Sequence, residues 1–332
     1  MKTVQVLITD THFGIKNNSQ LWLNSQLDYV YKEFIPLLKK IKNQNDVLEL
    51  SVIHCGDLFD SKSSINPLIY YKVNKLLKDI CSVANELIIL AGNHDCYSQI
   101  EEDYNINSLD MLKPPSNCKI VSNEVYYKNS NVAFIPWFEF HNIDKLKNST
   151  KDCNLIFTHT DLAHLDENIA TAIFDKNIIS GHIHVPYKKG NKFNIGACWA
   201  MNFLDSNSQR GIYIIENWDF NTIKFVENNS SIKFYRLRND EIFDDTVFDS
   251  IKKTDKVEIY IDKILYVEKK YLDRIAKANE SFDCKVIVTD QGVSEVCEDE
   301  IYNKEEWNIL DMIEKTIPKK LMEKFKKILN EL

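Results

Sequence analysis

A chain of 332 residues, 44% hydrophobic and 27% charged, has the composition of an ordinary globular protein of about two domains at ~150 residues each. No apolar run approaches the ~20 residues that a membrane span needs. The formal net charge of −8 argues against holding nucleic acid by bulk charge, so a DNA substrate would need a local patch, bound metal or a partner.

In chain order, MKTVQVLITD meets an Asp too early for the apolar core of a signal peptide, and Val4–Ile8 reads as a first strand. Leu23, Leu27, Val30, Tyr31, Phe34, Leu38 and Ile41 recur at three- and four-residue steps, predicting a helix that Pro36 should kink or split. Ser51–Cys55 predicts the next strand, and Ile69, Val73, Leu76, Leu77 and Ile80 mark a second amphipathic helix. Leu87–Leu90, Val132–Ile135, Asn154–Phe157 and Ile178–Ile179 read as further strands, with Lys192–Ile195 and Gly211–Ile215 closing the same unit. This strand–helix alternation argues for an α/β layered fold. After about Asn217 the pattern changes. Ile232–Tyr235, Val257–Ile261 and Cys284–Val288 are strand-like, with a helix around Val267–Ala278, giving a small α+β unit. An acidic stretch, GVSEVCEDE, precedes two helices, the last striped by Ile317, Leu321, Met322, Phe325, Ile328, Leu329 and Leu332. The eight cysteines are scattered without a C-x-x-C pair. That usage fits reduced thiols in a cytoplasm better than a disulfide framework or a zinc ribbon.

Chemistry gathers where the strands end. Val4–Ile8 runs into Thr9-Asp10-Thr11-His12, Ser51–Cys55 into Gly56-Asp57, Leu87–Ala91 into Gly92-Asn93-His94-Asp95, Asn154–Phe157 into Thr158-His159, and Ile178–Ser180 into Gly181-His182-Ile183-His184. The carboxyl ends of strands in an α/β sheet gather along one edge, where ligands bind, so these residues are expected to converge. In an extended segment residues i and i+2 point to one side, so His182 and His184 are expected to aim together. Asp10, His12, Asp57, Asn93, His159, His182 and His184 supply nitrogen and oxygen but no sulfur. Seven such groups suit two ions ~3.5–4 Å apart sharing a carboxylate. The mixed donor set favours Mn, Fe or Zn over Mg or Ca. A pair of divalent ions would carry surplus positive charge for a phosphate ester and would activate a water for attack. His94, between Asn93 and an expected orienting carboxylate, Asp95, is placed to protonate the leaving oxygen.

The series DTH, GDLFD, GNHD, a lone TH and GHIH resembles the motif order of the calcineurin-like metallophosphoesterase superfamily. Within it, GDLFD, the long excursion after GNHD and the strand IGACWAMNF most resemble the SbcD branch of DNA double-strand-break-repair nucleases, which includes phage recombination endonuclease subunits. The resemblance covers residues 1 to about 216. It implies a layered metallophosphoesterase sandwich of mixed sheets flanked by helices, a small α+β capping domain and C-terminal helices. The implied boundaries are 1–220 for the nuclease domain, 221–298 for a capping or DNA-binding domain, and 299–332 for helices that dock an ATPase partner. It further implies that Asp10, His12, Asp57 and His184 hold one metal, that Asp57, Asn93, His159 and His182 hold the other, and that His94 is the catalytic histidine. The ions would be Mn²⁺, the partner an SMC-like ABC-type ATPase, the substrate duplex DNA ends, and the chain a cytoplasmic homodimer paired through helices of its first domain. Asp60 stands where some relatives carry a second His, and Gly196-Ala197 where Gly-Ser is common.

Other residues read as structural. His54 alternates with apolar neighbours, as a core histidine would. His141 and His164 read as bystanders, Trp137, Phe138 and Phe140 as core beside Pro136, and Lys188, Lys189 and Lys192 as either a solvated hairpin or a phosphate contact. A rival function is a small-molecule phosphodiesterase using the same metals. A protein Ser/Thr phosphatase is disfavoured because Ser61-Lys62, not Arg-Gly, follows GDLFD. A non-catalytic metal scaffold is disfavoured by the open donor set and the adjacent His94.

Overall fold

The computed structural model describes residues 1–62, 64–97, 106–137, 143–173, 175–206 and 208–289. The acidic stretch, the helices expected within 299–332, and His141, Phe138 and Phe140 lie outside them.

Two six-stranded mixed sheets face each other. The first contains β1 (Lys2–Ile8), β2 (Val47–His54), β3 (Glu86–Leu90) and β4 (Cys118–Val121), all parallel, with β11 (Gly211–Glu216) and β12 (Asp219–Glu227) added antiparallel beside β1. The second runs β5 (Tyr126–Asn129), β6 (Val132–Phe134), β7 (Leu155–His159), β8 (Asn177–Gly181), β10 (Lys192–Asn194) and β9 (Tyr187–Lys189), with β6, β7, β8 and β10 parallel.

The two-residue period of a strand sorts its side chains into layers. Val4, Val6 and Ile8 of β1, Leu50 and Val52 of β2, and Leu87 and Ile89 of β3 pack outward with the helices Gln20–Tyr29, Ile35–Lys42 and Pro67–Cys81. Leu7, Ile53, Ile88 and Leu90 pack inward with Phe134, Leu155, Phe157 and Ile179 of the second sheet. Ile156 and Ile178 face out against Leu146 and Ile169, from the helices Ile143–Thr150 and Glu167–Ala172. The result is a four-layer α/β/β/α sandwich, the mixed-sheet architecture expected from the sequence.

The structure departs from expectation in four places. The first is that β12 extends the first sheet, so a boundary at residue 220 would cut through a paired strand. Its exposed, polar residues hide the alternation that marks a buried strand. Pro36 does not break the helical path. A π-helical turn at Val30–Phe34 precedes it, and Pro36 occupies the start of the next helical segment, where its missing N–H is tolerated. The third departure is that the chemistry-bearing strands belong to two sheets rather than one. Finally, the unit after residue 230 has an all-parallel sheet, β13 (Phe234–Arg238), β14 (Lys256–Asp262) and β15 (Asp283–Thr289), with the helix Lys269–Ser281 crossing between the last two. It has its own core of Leu237, Ile242, Val257, Ile259, Ile261 and Tyr271, and is moored to the sandwich where Phe234 stacks on Trp22. Among the described residues no helix is long and apolar enough to cross a membrane.

Phe157 stacks on Phe134 between the sheets, with ring centroids 4.9 Å apart, and is fully buried. Phe157→Ala should destabilise the fold by about 3–5 kcal/mol, read as a fall in the urea midpoint.

Candidate metal centre

The C-terminal ends of β1, β2, β3, β7 and β8 open onto one rim of the sandwich. There the loop after β1 continues to pair with the loop after β2: Asp10 N–H donates to the Gly56 carbonyl (3.0 Å), His12 N–H to Asp57 (3.1 Å) and Phe13 N–H to Leu58 (2.9 Å). These bonds bring the DTH and GDLFD segments together without a helix or strand to carry them.

Two clusters form on this rim. In one, His12 Nε2 lies 3.7 Å from Asp10 Oδ1, and His184 Nε2 lies 3.9 Å from the same oxygen. In the other, Asn93 Oδ1 meets His159 Nε2 at 3.2 Å and His182 Nδ1 at 2.8 Å. Asp57 stands between them, its Oδ2 being 3.5 Å from His12 Nε2 and 3.3 Å from His159 Nε2. Its other oxygen accepts the His94 backbone N–H at 2.9 Å. All seven residues singled out as ligands thus gather in two adjoining groups. His182 and His184 do not aim at one point, because His182 sits at φ 85°, which ends the extended geometry and sends the two rings to different groups.

The local backbone is unusual. Asp10, His12, Asp57 and His182 all have positive φ, at 50°, 42°, 54° and 85°. Such conformations cost of the order of 1–3 kcal/mol each and are sustained only by surrounding structure. Three glycines make room for the close approach. A Cβ at Gly56 would fall 2.3 Å from His159 Nδ1, one at Gly92 2.1 Å from Asp57 Oδ1, and one at Gly181 2.1 Å from Thr9 Oγ1. The G of GD, of GNHD and of GHIH is therefore required by sterics at the site.

The electrostatics call for positive charge. Asp10 and Asp57 are both fully buried, and among the described residues no group stands in hydrogen-bond geometry to Asp10 Oδ1 or to either His12 ring nitrogen. Burial alone would push Asp10 up, but His12, His159 and His184 pull it down to about 2. Burial likewise opposes a charge on His159, yet Asp57 overrides it and pushes the ring up to about 9. His12, buried against Asp10, Asp60 and Asp57, is pushed up to about 10. Meanwhile His159 Nδ1 donates to the Cys55 carbonyl at 2.7 Å, so the proton that balances Asp57 sits on Nε2, the atom a cation would claim by displacing it. Asp57, His159 and His182 bring ligand atoms within 4.8 Å of one another, with Asn93 Oδ1 beside both rings, an arrangement that fits a cation once the ring protons facing it are lost. The seven donors fit a pair of divalent ions.

His94 lies on the same rim, its ring edge-on to His12 at 4.8 Å. Its Nδ1 donates to the backbone carbonyl of Asp60 at 2.7 Å, so a second proton, on Nε2, would be the acidic one. Asp95 was expected to orient that ring, but it does something else. Its carboxylate accepts the backbone N–H groups of Leu58 (3.3 Å), Phe59 (3.1 Å) and Gly92 (3.0 Å), tying the GDLFD and GNHD loops together. Asp60 is the residue whose contribution sequence reading missed. Its carbonyl holds His94, and its carboxylate lies 3.3 Å from His12 Nδ1. Its position three residues after Asp57 was the available signal.

The remaining residues have other partners. His54 is buried against the Thr11 hydroxyl at 2.9 Å. His164 is exposed beside Asp161. Trp137 is half-buried, its backbone N–H on the Ala91 carbonyl. Lys188 covers the Phe220 ring, and Lys192 donates to the carbonyls of Ile173 and Lys176.

Comparison with known proteins finds that the model of the calcineurin-like phosphoesterase family matches residues 5–186, more than half of the chain and every candidate ligand. The exonuclease subunit 1 of Enterobacteria phage T4 is 23% identical over 236 residues, 67% of each chain. Among solved structures, the nuclease MPE of Pseudomonas putida is similar at 12% identity and a TM-score of 0.31, over 67% of this chain and 87% of that one. A protein of unknown function from Aquifex aeolicus is similar at 16% identity and a TM-score of 0.25, over 54% and 89%.

Gly92→Ala places a methyl against Asp57 and should weaken binding of Mn²⁺ by about 10–100-fold, the range found when groups that orient ligands are disturbed. A titration of the purified variant followed by the EPR signal of free Mn²⁺ checks this, with circular dichroism to establish that the fold persists.

Proposed function

The chain belongs to the calcineurin-like phosphoesterase family, and on that premise we propose that it is a Mn²⁺-dependent DNA nuclease, the hydrolytic subunit of a recombination or double-strand-break-repair complex with an SMC-like ATPase. It is a metal-dependent enzyme that hydrolyses phosphoesters. The observation that carries the two-ion part of this reading is Asp57, one carboxylate within 3.5 Å of histidines from two separate clusters. That is the arrangement a two-ion phosphodiesterase needs. The name of the phage T4 relative, an exonuclease subunit, supports DNA as the substrate and a second subunit as the partner. Homodimerisation, and a division into nuclease, capping and ATPase-docking parts, belong to the same proposal, with the first boundary moved beyond β12.

In this reading Asp10, His12, Asp57 and His184 hold one ion, and Asp57, Asn93, His159 and His182 hold the other. Bound divalent ions would neutralise the phosphoryl oxygens and lower the pKa of a water for attack. The rest falls to the chain's own groups. Buried Asp10 and Asp57 supply the negative charge that protons on His12 and His159 offset in the chain by itself and that bound cations would offset in their place. His94, with Nδ1 fixed on the Asp60 carbonyl, gives a proton from Nε2 to the departing oxygen. Asp95 keeps the loops bearing Asp57 and His94 in register.

His94→Ala should lower hydrolysis of labelled duplex DNA by about 10²–10⁴-fold while Mn²⁺ titration still finds two ions. Parental cutting by that variant would remove His94 from the reaction. With the parent chain, Mn²⁺ should support cleavage of both duplex DNA and bis-p-nitrophenyl phosphate, and a chelator should stop both. Cleavage of the small ester alone would point instead to a small-molecule phosphodiesterase.

A further inference from the structure

Beneath the rim lies an ion pair that none of the motifs contains. Arg210, at the foot of β11, and Asp205 are both buried, with Arg210 Nη2 2.9 Å from Asp205 Oδ1. Removing a guanidinium from water is costly, and such a pair is kept only where further hydrogen bonds satisfy both groups. The pair is anchored on every side. Asp205 Oδ2 accepts the Met201 backbone N–H at 2.8 Å, Arg210 Nε donates to Ser208 Oγ at 3.0 Å, and the Arg210 carbonyl accepts the Asn228 N–H at 2.7 Å. The free end of the guanidinium, Nη1, donates to the backbone carbonyl of His184.

That carbonyl is one of three in a row that are captured. Asn194, itself fully buried, donates through Nδ2 to the carbonyls of Ile183 (2.6 Å) and Val185 (3.1 Å). The intervening His184 carbonyl takes the Ala197 N–H at 2.9 Å together with Arg210. Gly196, at φ 67°, lets this strand come close, since a Cβ there would lie 2.7 Å from the His184 oxygen. The segment bearing His184 is therefore clamped by Asn194 and by the Ala197–Arg210 pair of donors. Its ring is half-exposed, and its nearest carboxylate is 3.9 Å away. The ring is held in place by its backbone more than by its own side-chain contacts. His182 differs, because its backbone N–H lies on Asp10 Oδ2 and its ring on Asn93.

We propose that Arg210, paired with Asp205, is a positioning residue for His184, and that it governs the ion held by Asp10, His12 and His184 without governing the ion at Asn93, His159 and His182. The proposal rests on the reading of His184 as a ligand. Arg210 also lines a cavity of about 190 Å³ walled by Trp199, Asn228, Ser231, Lys233 and Phe234, so this clamp on the metal centre lies on the seam with the third sheet.

The test is a Mn²⁺ titration of the full chain, followed by the EPR signal of the free ion. The parent and a Lys233→Ala control should bind two ions. Arg210→Met should bind one as the parent does and the other about 10–100-fold more weakly. The double variant Arg210→Met/Asp205→Leu removes both charges, so it avoids leaving a carboxylate buried alone. It should show the same one-site defect, and a melting curve establishes that it is folded. If the double variant recovers both ions, the single-variant defect came from an unpaired Asp205 and the proposal fails. Equal weakening of both ions would indicate a general loss of structure and would also overturn it. His184→Ala separates the two layers of inference. If His184→Ala loses one ion while the Arg210 variants keep both, positioning fails and the ligand reading stands. If His184→Ala keeps both ions, the two fall together.

Discussion

Two carboxylates out of water, both within 3.7 Å of one His12 nitrogen, set the terms for the rest of this structure. Asp10 and Asp57 sit at the ends of adjacent parallel strands, β1 and β2, and both are fully buried. Such a pair is tolerable only with compensating positive charge. In the chain by itself that charge falls to protons on His12 and His159, which are pushed up accordingly. Divalent cations provide it more fully, and phosphoester hydrolysis uses the positive charge they leave over.

Much of the surrounding architecture keeps that unfavourable arrangement from relaxing. The sandwich core beneath it is closely layered, with Leu7, Ile53 and Phe157 fully buried between the sheets. Four of the residues on the rim are held at positive φ, and Gly56, Gly92 and Gly181 stand where any side chain would collide with a ligand or its neighbour. Asp95 secures two loops through three backbone amides, and the Asp60 carbonyl fixes His94. These contacts hold the loops and side chains of the rim in place.

The supporting residues differ in kind from the ligands. Asp95, Asn194 and Arg210 act on backbone groups. They are buried polar side chains from different segments. Asp95 and Asn194 satisfy amides or carbonyls of loops, and Arg210 adds a second donor to the His184 carbonyl. Such residues leave little trace in a motif. Their partners are atoms every residue has, so only the path of the chain in space reveals which carbonyl lies within reach.

The line between what was readable and what was not follows from this. Strand-end placement of Asp10, Asp57, Asn93, His159, His182 and His184 was legible because a buried strand imposes apolar alternation and a loop at its end releases it. Ligand types at five such ends leave few alternatives. The inner-sandwich strands were legible for the same reason, whereas β12, β9 and β5 carry exposed faces that dilute the pattern. The amino-acid sequence by itself determined which residues meet and what chemistry their donor atoms support. Tertiary structure alone decided that they come from two sheets, that His182 and His184 part company, that Asp95 holds loops rather than a ring, and that Arg210 reaches His184. The physical reason is that side-chain type is written along the chain, while backbone carbonyls and amides acquire partners only when distant segments are packed together.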